Sequence, residues 1–198
     1  MSISLKRTVV IGTSCSGKTT FARELAQLLG SRHVELDPLH WGGNWTARPQ
    51  EEFRRLVSQQ ISGDDWVVDG NYRTVREIIW PRATALVWLD YSLPIVFCRA
   101  LRRTLGRVVR REVLYSGNRE SLRMALMSRE SILLWVLRSH RPLRREYSAL
   151  ARSDECGGPK IIRLSSPGKA LEFLAEQRRI RSAADRSGAR NPSVRAVV

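Results

Sequence analysis

The apolar run TVVI, residues 8–11, is followed at once by the segment GTSCSGKT, which spans Gly12 to Thr19. This segment fits the spacing G-x-x-x-x-G-K-[S/T], in which glycines allow a tight turn and successive main-chain N–H groups point toward one phosphate. A β-branched strand precedes the segment and an amphipathic helix follows it, as this motif requires. The sequence therefore predicts a phosphate-binding loop, and an ordinary glycine-rich turn would not explain the Lys-Thr pair.

The side chains of the loop suggest how a nucleotide would be held. Lys18 would reach the β- and γ-phosphate oxygens of ATP, and the hydroxyl of Thr19 would take a place on Mg²⁺. We interpret Cys15 as a small residue whose main chain matters, because thiol reactivity needs a lowered pKa. The expected cofactors are ATP and Mg²⁺. The residues predicted to bind them are Gly12, Thr13, Ser14, Cys15, Ser16, Gly17, Lys18, Thr19 and Thr20.

Strand-like and helical segments alternate along the chain, which is typical of a parallel sheet built from βαβ units. The predicted strands are TVVIG, HVELD, WVVDG, ALVWLD and KIIRL. Helices are predicted at Lys18 to Leu29, from Pro49, at Pro94 to Val113, at about Leu122 to Leu137, and from near Pro167. We expect an α/β protein, a P-loop NTPase-type three-layer α/β/α sandwich with a five-stranded, mostly parallel sheet.

Positive charge is concentrated in one part of the chain. The net charge is +15, and the segment from Arg99 to Arg145 holds 13 Arg against 3 Glu. We predict a kinase-like domain at residues 1–180 with a helical, Arg-rich lid insertion at about 94–147. Residues 181–198 contain too little apolar surface to offset their ordering entropy, so a disordered basic tail is expected there. The Arg excess could instead reflect composition alone or a surface for polyanions.

The predicted helix from Pro94 to Val113 carries two distinct faces. Its apolar face is Leu101, Leu105, Val108 and Val109, and its basic face is Arg99, Arg103, Arg107, Arg110 and Arg111. Phosphoryl transfer needs water excluded and positive charge beside the moving group. One hypothesis is that Arg103, Arg107 and Arg110 or Arg111 approach ATP when a lid closes. The alternative is a solvated surface face.

Other classes of protein are not indicated. No apolar run approaches the roughly 20 residues that cross a bilayer. The three cysteines are scattered and form no C-x-x-C pair, which favours a reducing, cytoplasmic location over a disulfide scaffold. Nucleic acid is a partner only on grounds of charge, since the basic segments lack interleaved aromatic residues. We therefore expect no membrane partner, and ATP with a small-molecule acceptor as ligands.

Three acidic residues, Asp37, Asp69 and Asp90, end predicted strands. Ligands of open parallel sheets gather at the carboxyl ends of the strands, so all three side chains could face the nucleotide. A nucleotide-bound Mg²⁺ requires a carboxylate there to orient a metal-bound water. Asp69 and Asp90 both remain candidates on position alone.

Several segments outside the loop resemble a known group of proteins. DGNYRT, from Asp69 to Thr74, is similar to the Asp-Gly-Phe-Pro-Arg-Thr segment of adenylate kinases. LDPLHWGGNW, VVDGNY and SGNRES resemble bacterial adenylate-kinase-like, or topology-modulation (FlaR-related), P-loop proteins. The likeness covers roughly residues 8 to 175. It implies that Asp69 rather than Asp90 supports the metal, together with Thr19, and that Arg73 holds a substrate phosphate or carboxylate.

The departures from adenylate kinases concern the acceptor. Asn71 and Tyr72 replace their Phe-Pro, and ELDPLHW replaces their Thr-Gly-Asp signature, so AMP is not favoured as the acceptor. A carboxylate at Asp37 is closer to metabolite kinases such as shikimate or gluconate kinase, where it holds acceptor hydroxyls.

Asp37 is accordingly predicted to orient the acceptor hydroxyl and could also take its proton, although it could equally cap the turn before Pro38. His40 and Trp41 would line the acceptor site, while simple packing is the alternative for Trp41 and Trp45. The sequence thus predicts a small-molecule kinase with Lys18, Asp37, Arg103, Arg107 and Arg110 as its catalytic residues. The alternative is a nucleotide-binding regulator associated with nucleic acid.

Overall fold

Within the part of the chain that the structure describes, the sheet has five strands, and all four of its pairings are parallel. A computed structural model describes residues 3–110, 132–152 and 158–188. The strands are β1 (Arg7–Gly12), β2 (Arg32–Glu35), β3 (Trp66–Asp69), β4 (Ala85–Leu89) and β5 (Lys160–Leu164). Their spatial order is β2-β3-β1-β4-β5, so the phosphate-binding loop follows the central strand. The predicted five-stranded parallel sheet is confirmed.

Helices cover both faces of the sheet. They are α1 (Lys18–Leu29), α2 (Leu36–His40), α3 (Gln50–Gln60), α4 (Arg76–Ile79), α5 (Leu93–Arg110), α6 (Ile132–Leu150) and α7 (Pro167–Gly188). Short 3₁₀ turns span Gly43–Trp45, Arg73–Val75 and Trp80–Arg82. One apolar core joins the sheet to α1, α5 and α7, and the other joins it to α3 and α4. The three central strands, β1, β3 and β4, are buried on both faces, which explains their continuous apolar sequences.

The helix after the loop has the predicted bounds. It begins at Lys18 and ends at Leu29, and Gly30 follows with φ 68°. Glycine suits this position because a left-handed residue lets the last turn close its hydrogen bonds without a Cβ clash. The predicted first, third, fourth and fifth strands also agree with the structure to within one residue.

The second strand is shorter than predicted. β2 ends at Glu35, and Leu36–His40 forms the short helix α2, so Asp37 lies in a first helical turn and not at a strand end. Pro38 explains the change, because it has no N–H for a strand ladder but is well tolerated in the first turn of a helix. Leu36 is fully buried, and Gly70 packs so closely on it that a Cβ would lie 2.9 Å from Leu36 Cβ.

The face that α5 buries differs from the predicted one. Val96, Ala100 and Thr104 are fully buried, whereas Leu101 and Leu105 are exposed. Val96 and Ala100 belong to the apolar core that also contains strand residues, so tertiary packing decides which face of α5 is buried. Residues 111–113, including Arg111, lie outside the described part of the chain.

The following helix extends further than predicted. α6 runs to Leu150 and passes through Pro142, whereas the prediction ended at Leu137. Val136, His140 and Tyr147 are buried along one face, and this packing offsets the hydrogen bond that proline removes. Residues 122–131 of the predicted helix, and the predicted turn LYSGN, lie outside the described residues.

The chain after residue 180 was expected to be disordered, but α7 continues to Gly188. The guanidinium of Arg181 explains part of this extension, since its Nη1 donates a 2.5 Å hydrogen bond to the main-chain oxygen of Leu28 at the end of α1. Residues 189–198 lie outside the described part. Among the described helices, none has both the length and the apolar character that crossing a bilayer requires.

Candidate active site

The phosphate-binding loop adopts a backbone that requires glycine at two positions. Gly12 has φ 151° and Gly17 has φ 94°. A Cβ on Gly12 would lie 2.8 Å from the carbonyl oxygen of Leu89, so the loop packs directly against the end of β4. Cys15 also has a left-handed φ of 65°. These conformations curl the chain between β1 and α1 into a concave turn at the N-terminus of a helix, where anions are favoured.

The ammonium of Lys18 folds back over this turn. Its Nζ donates to the main-chain oxygens of Gly12 at 3.0 Å and Thr13 at 3.2 Å. Burial lowers the pKa of Lys18, while the negative charges of Asp37 and Asp69 act in the opposite direction. Lys18 therefore lies close to both carboxylates and to the loop that would carry the phosphates.

Asn71 and Ser16 add polar groups to the loop. The side-chain amide of Asn71 makes two hydrogen bonds with the main chain of Gly12. Its Oδ1 accepts from the Gly12 N–H at 3.2 Å, and its Nδ2 donates to the Gly12 oxygen at 2.5 Å. The hydroxyl of Ser16 is buried and has no hydrogen-bond partner among the described residues. An unsatisfied buried hydroxyl in such a turn fits a ligand oxygen.

Asp69 lies next to the hydroxyl that was predicted to bind a metal. Thr19 Oγ1 donates to Asp69 Oδ1 at 3.3 Å, and His33 Nε2 lies 2.9 Å from Asp69 Oδ2. The Asp69 side chain is 4% exposed. A hydroxyl and a carboxylate beside a phosphate-binding turn are oxygen donors of the kind Mg²⁺ prefers, with phosphate and water supplying the other ligands. The residues present therefore fit a nucleotide-bound magnesium ion.

Asp90 is placed differently, although it also follows a central strand. Arg163 donates to its Oδ2 from Nε at 2.8 Å and Nη2 at 2.5 Å, and Arg144 Nε lies 2.9 Å from Oδ1. Both carboxylate oxygens thus bind arginines from β5 and α6. The three acidic residues do not converge: Asp37 and Asp69 lie near Lys18, and Asp90 joins α6 to the edge of the sheet.

Asp37 is half-buried and is oriented by a neighbouring tyrosine. The hydroxyl of Tyr72 donates to Asp37 Oδ1 at 2.7 Å. The ring of His40 packs against Tyr72, Trp41 and Phe53, with centroids 4.5, 4.7 and 5.0 Å away. Burial lowers the pKa of His40, partly offset by Asp37. Asp37 and His40 thus share one aromatic-walled region, in which Trp45 lies against Trp41 at 5.9 Å.

Arg73 is engaged by a carboxylate of the protein. Its Nη2 donates to Glu146 Oε2 at 2.6 Å, and Arg76 Nη1 donates to Glu146 Oε1 at 2.6 Å. The hydrogen bond to Glu146 and the negative charge of that residue raise the pKa of Arg73. The contact ties α6 to the segment after β3, and the role of Arg73 toward a substrate stays a prediction.

Part of the predicted basic face lies over the loop. Arg99 Nη1 donates to the main-chain oxygen of Ser16 at 2.6 Å, and its guanidinium lies 5.2 Å from the ring centroid of Tyr91. Arg103 is near enough that its charge lowers the pKa of Lys18, and its Nε is buried with no partner among the described residues. Arg107 and Arg110 lie further along α5, and their side chains are outside the described structure.

Four residues of this region were not assigned a role from sequence: His33, Asn71, Tyr72 and Arg99. Asn71 and Tyr72 did carry a signal, because they replace the Phe-Pro of the adenylate-kinase segment. Arg99 belongs to the predicted basic face, and nothing in the pattern distinguishes it from its neighbours there. His33 gave no signal, since a lone histidine in a short strand is compatible with ordinary packing.

The loop, the parallel strand order and the flanking helices define an α/β fold in which a phosphate-binding loop follows the central strand of a parallel sheet. The chain is similar to a shikimate kinase from Acinetobacter baumannii solved in complex with shikimate. That likeness has a TM-score of 0.53 and 17% identity, and covers 92% of this chain and 96% of that one. It is also similar to a shikimate kinase from Bacteroides thetaiotaomicron, with a TM-score of 0.53, 12% identity, and coverage of 88% and 97%. The predicted fold class is confirmed.

Sequence comparisons add nothing further to this likeness. A comparison with protein-family models finds no match, and neither does a comparison with curated proteins. At 17% and 12% identity, the structural likeness concerns the fold and not the reaction.

Proposed function

We propose that the protein is an ATP-dependent kinase that transfers the γ-phosphoryl group to a hydroxyl of a small metabolite. The observation that carries this proposal is the placement of Asp37, oriented by Tyr72, beside Lys18 of the phosphate-binding loop. A nucleotide-binding switch or motor would need no such carboxylate in an aromatic-walled region next to the loop. An adenylate-kinase-like ancestry agrees with the DGNYRT segment, and AMP is not the acceptor we favour.

Binding of ATP is assigned to the loop and to Lys18. The main-chain N–H groups between Gly12 and Thr20 would surround the phosphates, and the N-terminus of α1 adds its partial positive charge. Lys18 would exchange the carbonyl oxygens of Gly12 and Thr13 for phosphate oxygens. Thr19 and Asp69 would hold Mg²⁺, which neutralises charge on the phosphates when it is bound.

The acceptor would lie between Asp37 and the aromatic side chains around His40. As the acceptor oxygen bonds to the γ-phosphorus, the bond from that phosphorus to the bridging oxygen breaks and ADP leaves. The hydroxyl proton passes to the carboxylate of Asp37. Tyr72 keeps one oxygen of Asp37 engaged, so the other is aimed at the acceptor.

The basic face of α5 would supply the remaining positive charge. Arg103 has a buried Nε without a partner among the described residues and lies near Lys18, so it is the first candidate to contact the transferred group. Arg107 and Arg110 continue the same face and stay part of the proposal. Arginines there would exclude water and stabilise the charge that is spread over the phosphoryl oxygens.

The direct test is an ATP-consumption screen against sugars, sugar acids and nucleoside monophosphates, with Lys18→Ala as the blank. We expect turnover above the blank with a hydroxyl-bearing metabolite and little with AMP. Preference for AMP would refute the assigned acceptor class. Turnover only in the presence of DNA would instead favour the nucleic-acid-associated regulator, for which the net charge of +15 is the supporting observation.

The role of Asp37 has its own test. Asp37→Asn keeps the shape of the side chain but removes the proton acceptor, so kcat should fall by about 10²-fold or more while ATP affinity is retained. Asp64→Asn is the matched control, because the Asp64 side chain is 88% exposed. An Asp37→Asn protein that is folded, binds ATP and turns over normally would rule out the assigned role.

A further inference from the structure

His33 occupies the face of the sheet that lies beneath α1. In the register of β2 and β3, His33 is opposite Val67 and Glu35 is opposite Asp69. Since alternate residues of a strand point to the same face, His33 and Glu35 share their face with Asp69. The His33 side chain is 14% exposed. An ionisable side chain placed between a helix and a sheet in this way needs a specific partner.

That partner is the carboxylate of Asp69. His33 Nε2 lies 2.9 Å from Asp69 Oδ2. An ionised carboxylate can only accept hydrogen bonds, so Nε2 carries the proton and donates it. The other oxygen, Oδ1, accepts from Thr19 Oγ1 at 3.3 Å. The two oxygens therefore have separate partners, and the plane of the carboxylate is fixed.

A second carboxylate lies behind the histidine. His33 Nδ1 is 3.8 Å from Glu35 Oε1, and the same oxygen is 3.0 Å from Arg23 Nη2 on α1. These contacts form a row of side chains that leads from the loop to the surface: Thr19, Asp69, His33, Glu35 and Arg23. The first and last residues of this row, Thr19 and Arg23, belong to α1, so the histidine is held between one helix and two strands.

We propose that His33 is a positioning residue for magnesium: it holds Asp69 so that Oδ1 faces Thr19 and the metal-bound water. The inference rests on the proposed nucleotide site. A Thr hydroxyl that gives a lone pair to a cation still donates its proton, so the Thr19–Asp69 contact persists with metal bound. His33 then prevents the carboxylate from turning away. Partners that orient a metal site in this manner typically contribute 10- to 100-fold to metal affinity or activity.

The test compares ATP affinity in the presence of Mg²⁺ with ATP affinity in a chelator, by calorimetry on the full chain. His33→Leu should lower the Mg²⁺-dependent gain in affinity by about 10-fold or more, and leave the affinity in chelator unchanged. His33→Gln should restore most of the gain, because its amide can donate from near the Nε2 position. His33→Asn should not, because its amide is too short to reach.

The control is His140→Leu. His140 is also buried, and its Nε2 lies 2.9 Å from the main-chain oxygen of Tyr91, a partner other than Asp69. This variant should lose stability and keep the full Mg²⁺-dependent gain. If His33→Leu does not fold, the comparison of Gln with Asn carries the test alone.

Three results would overturn the inference: equal affinities for the Gln and Asn variants, equal losses with and without Mg²⁺, or no Mg²⁺-dependent gain in the unaltered protein. Failure of the kinase proposal would be seen separately. In that case the unaltered protein would show the Mg²⁺-dependent gain and the His33 pattern, but no acceptor would be phosphorylated.

Discussion

The hydroxyl of Tyr72 and the carboxylate of Asp37 are joined by a 2.7 Å hydrogen bond, although the residues belong to segments that follow different strands. Tyr72 comes after β3, and Asp37 lies in the first turn of α2. The bond fixes which carboxylate oxygen can face an acceptor. It also connects the aromatic side chains around His40 to the residue assigned as proton acceptor.

Tyr72→Phe should therefore impair turnover and spare ATP binding. Loss of one hydrogen bond to a carboxylate corresponds to about a tenfold fall in kcat with the acceptor that the screen identifies. Tyr147→Phe is the matched control, because the Tyr147 hydroxyl is buried beside Arg76, whereas the hydroxyl that donates to Asp37 is that of Tyr72. Equal effects of the two variants on kcat would argue against an orienting role for Tyr72.

Arg103→Ala should reduce kcat by roughly 10³-fold if its guanidinium contacts the transferred phosphoryl group, with a much smaller change in ATP affinity. Arg102→Ala is the control on the same helix, since Arg102 is exposed. Steady-state kinetics and calorimetry together separate the two quantities. Uniformly mild effects along α5 would indicate a solvated surface face.

Lys18 should titrate when ATP binds. Burial lowers its pKa below 10.5, and Asp37 and Asp69 offset this only in part, so the free protein loses this proton at a lower pH than an ordinary lysine would. Bound phosphates favour the ammonium. Binding at alkaline pH should therefore take up protons, and ATP affinity should fall as pH rises.

Calorimetry in buffers of different ionisation enthalpy measures this proton uptake at alkaline pH values below the ordinary lysine pKa of 10.5. A Cys15→Ser background removes the thiol that also lies near Lys18. Lys18→Arg should show no uptake, because arginine stays charged throughout this range. Equal uptake in the two proteins would place the titrating group elsewhere.

Asp90→Asn should lower the free energy of unfolding by about 2 kcal/mol, because Arg144 and Arg163 lose a shared, buried carboxylate. Mg²⁺-dependent ATP binding should remain. Asp69→Asn should instead lose most of the gain in ATP affinity that depends on Mg²⁺. Denaturant unfolding and calorimetry on both variants distinguish these roles, and loss of the metal effect in Asp90→Asn would reverse the assignment.

Glu146 should contribute stability that disappears in acid. Partial burial raises its pKa, and the hydrogen bonds and charges of Arg76 and Arg73 more than offset this, so the pKa lies below 4.5. Its contribution is therefore complete well above pH 4.5 and is lost as pH falls through the lowered pKa.

Urea unfolding of Glu146→Gln should show a lower free energy at pH 7 and a smaller further loss on acidification than the unaltered protein. The exposed Glu172 provides the control variant Glu172→Gln. An acid dependence that Glu146→Gln leaves unchanged would contradict the expected contribution.

Local patterns were sufficient for much of the fold. The phosphate-binding loop, the bounds of α1 and four of the five strands follow from glycine spacing, apolar periodicity and β-branched runs. The errors have long-range causes. α5 buries Val96 and Ala100 while Leu101 and Leu105 are exposed, and α6 passes through Pro142, because tertiary packing outweighs local preference.

The candidate site divides in the same way. Gly12, Lys18 and Thr19 lie in one continuous motif, whose backbone geometry is encoded within a few residues, so the sequence alone determined the phosphate-binding turn. The contacts of Asp69 with His33, of Asp37 with Tyr72 and of Asp90 with two arginines join residues 35 to 73 positions apart. Only the tertiary structure decided these pairs, because side chains on separate elements meet through sheet order, strand register and helix packing, which no local spacing records.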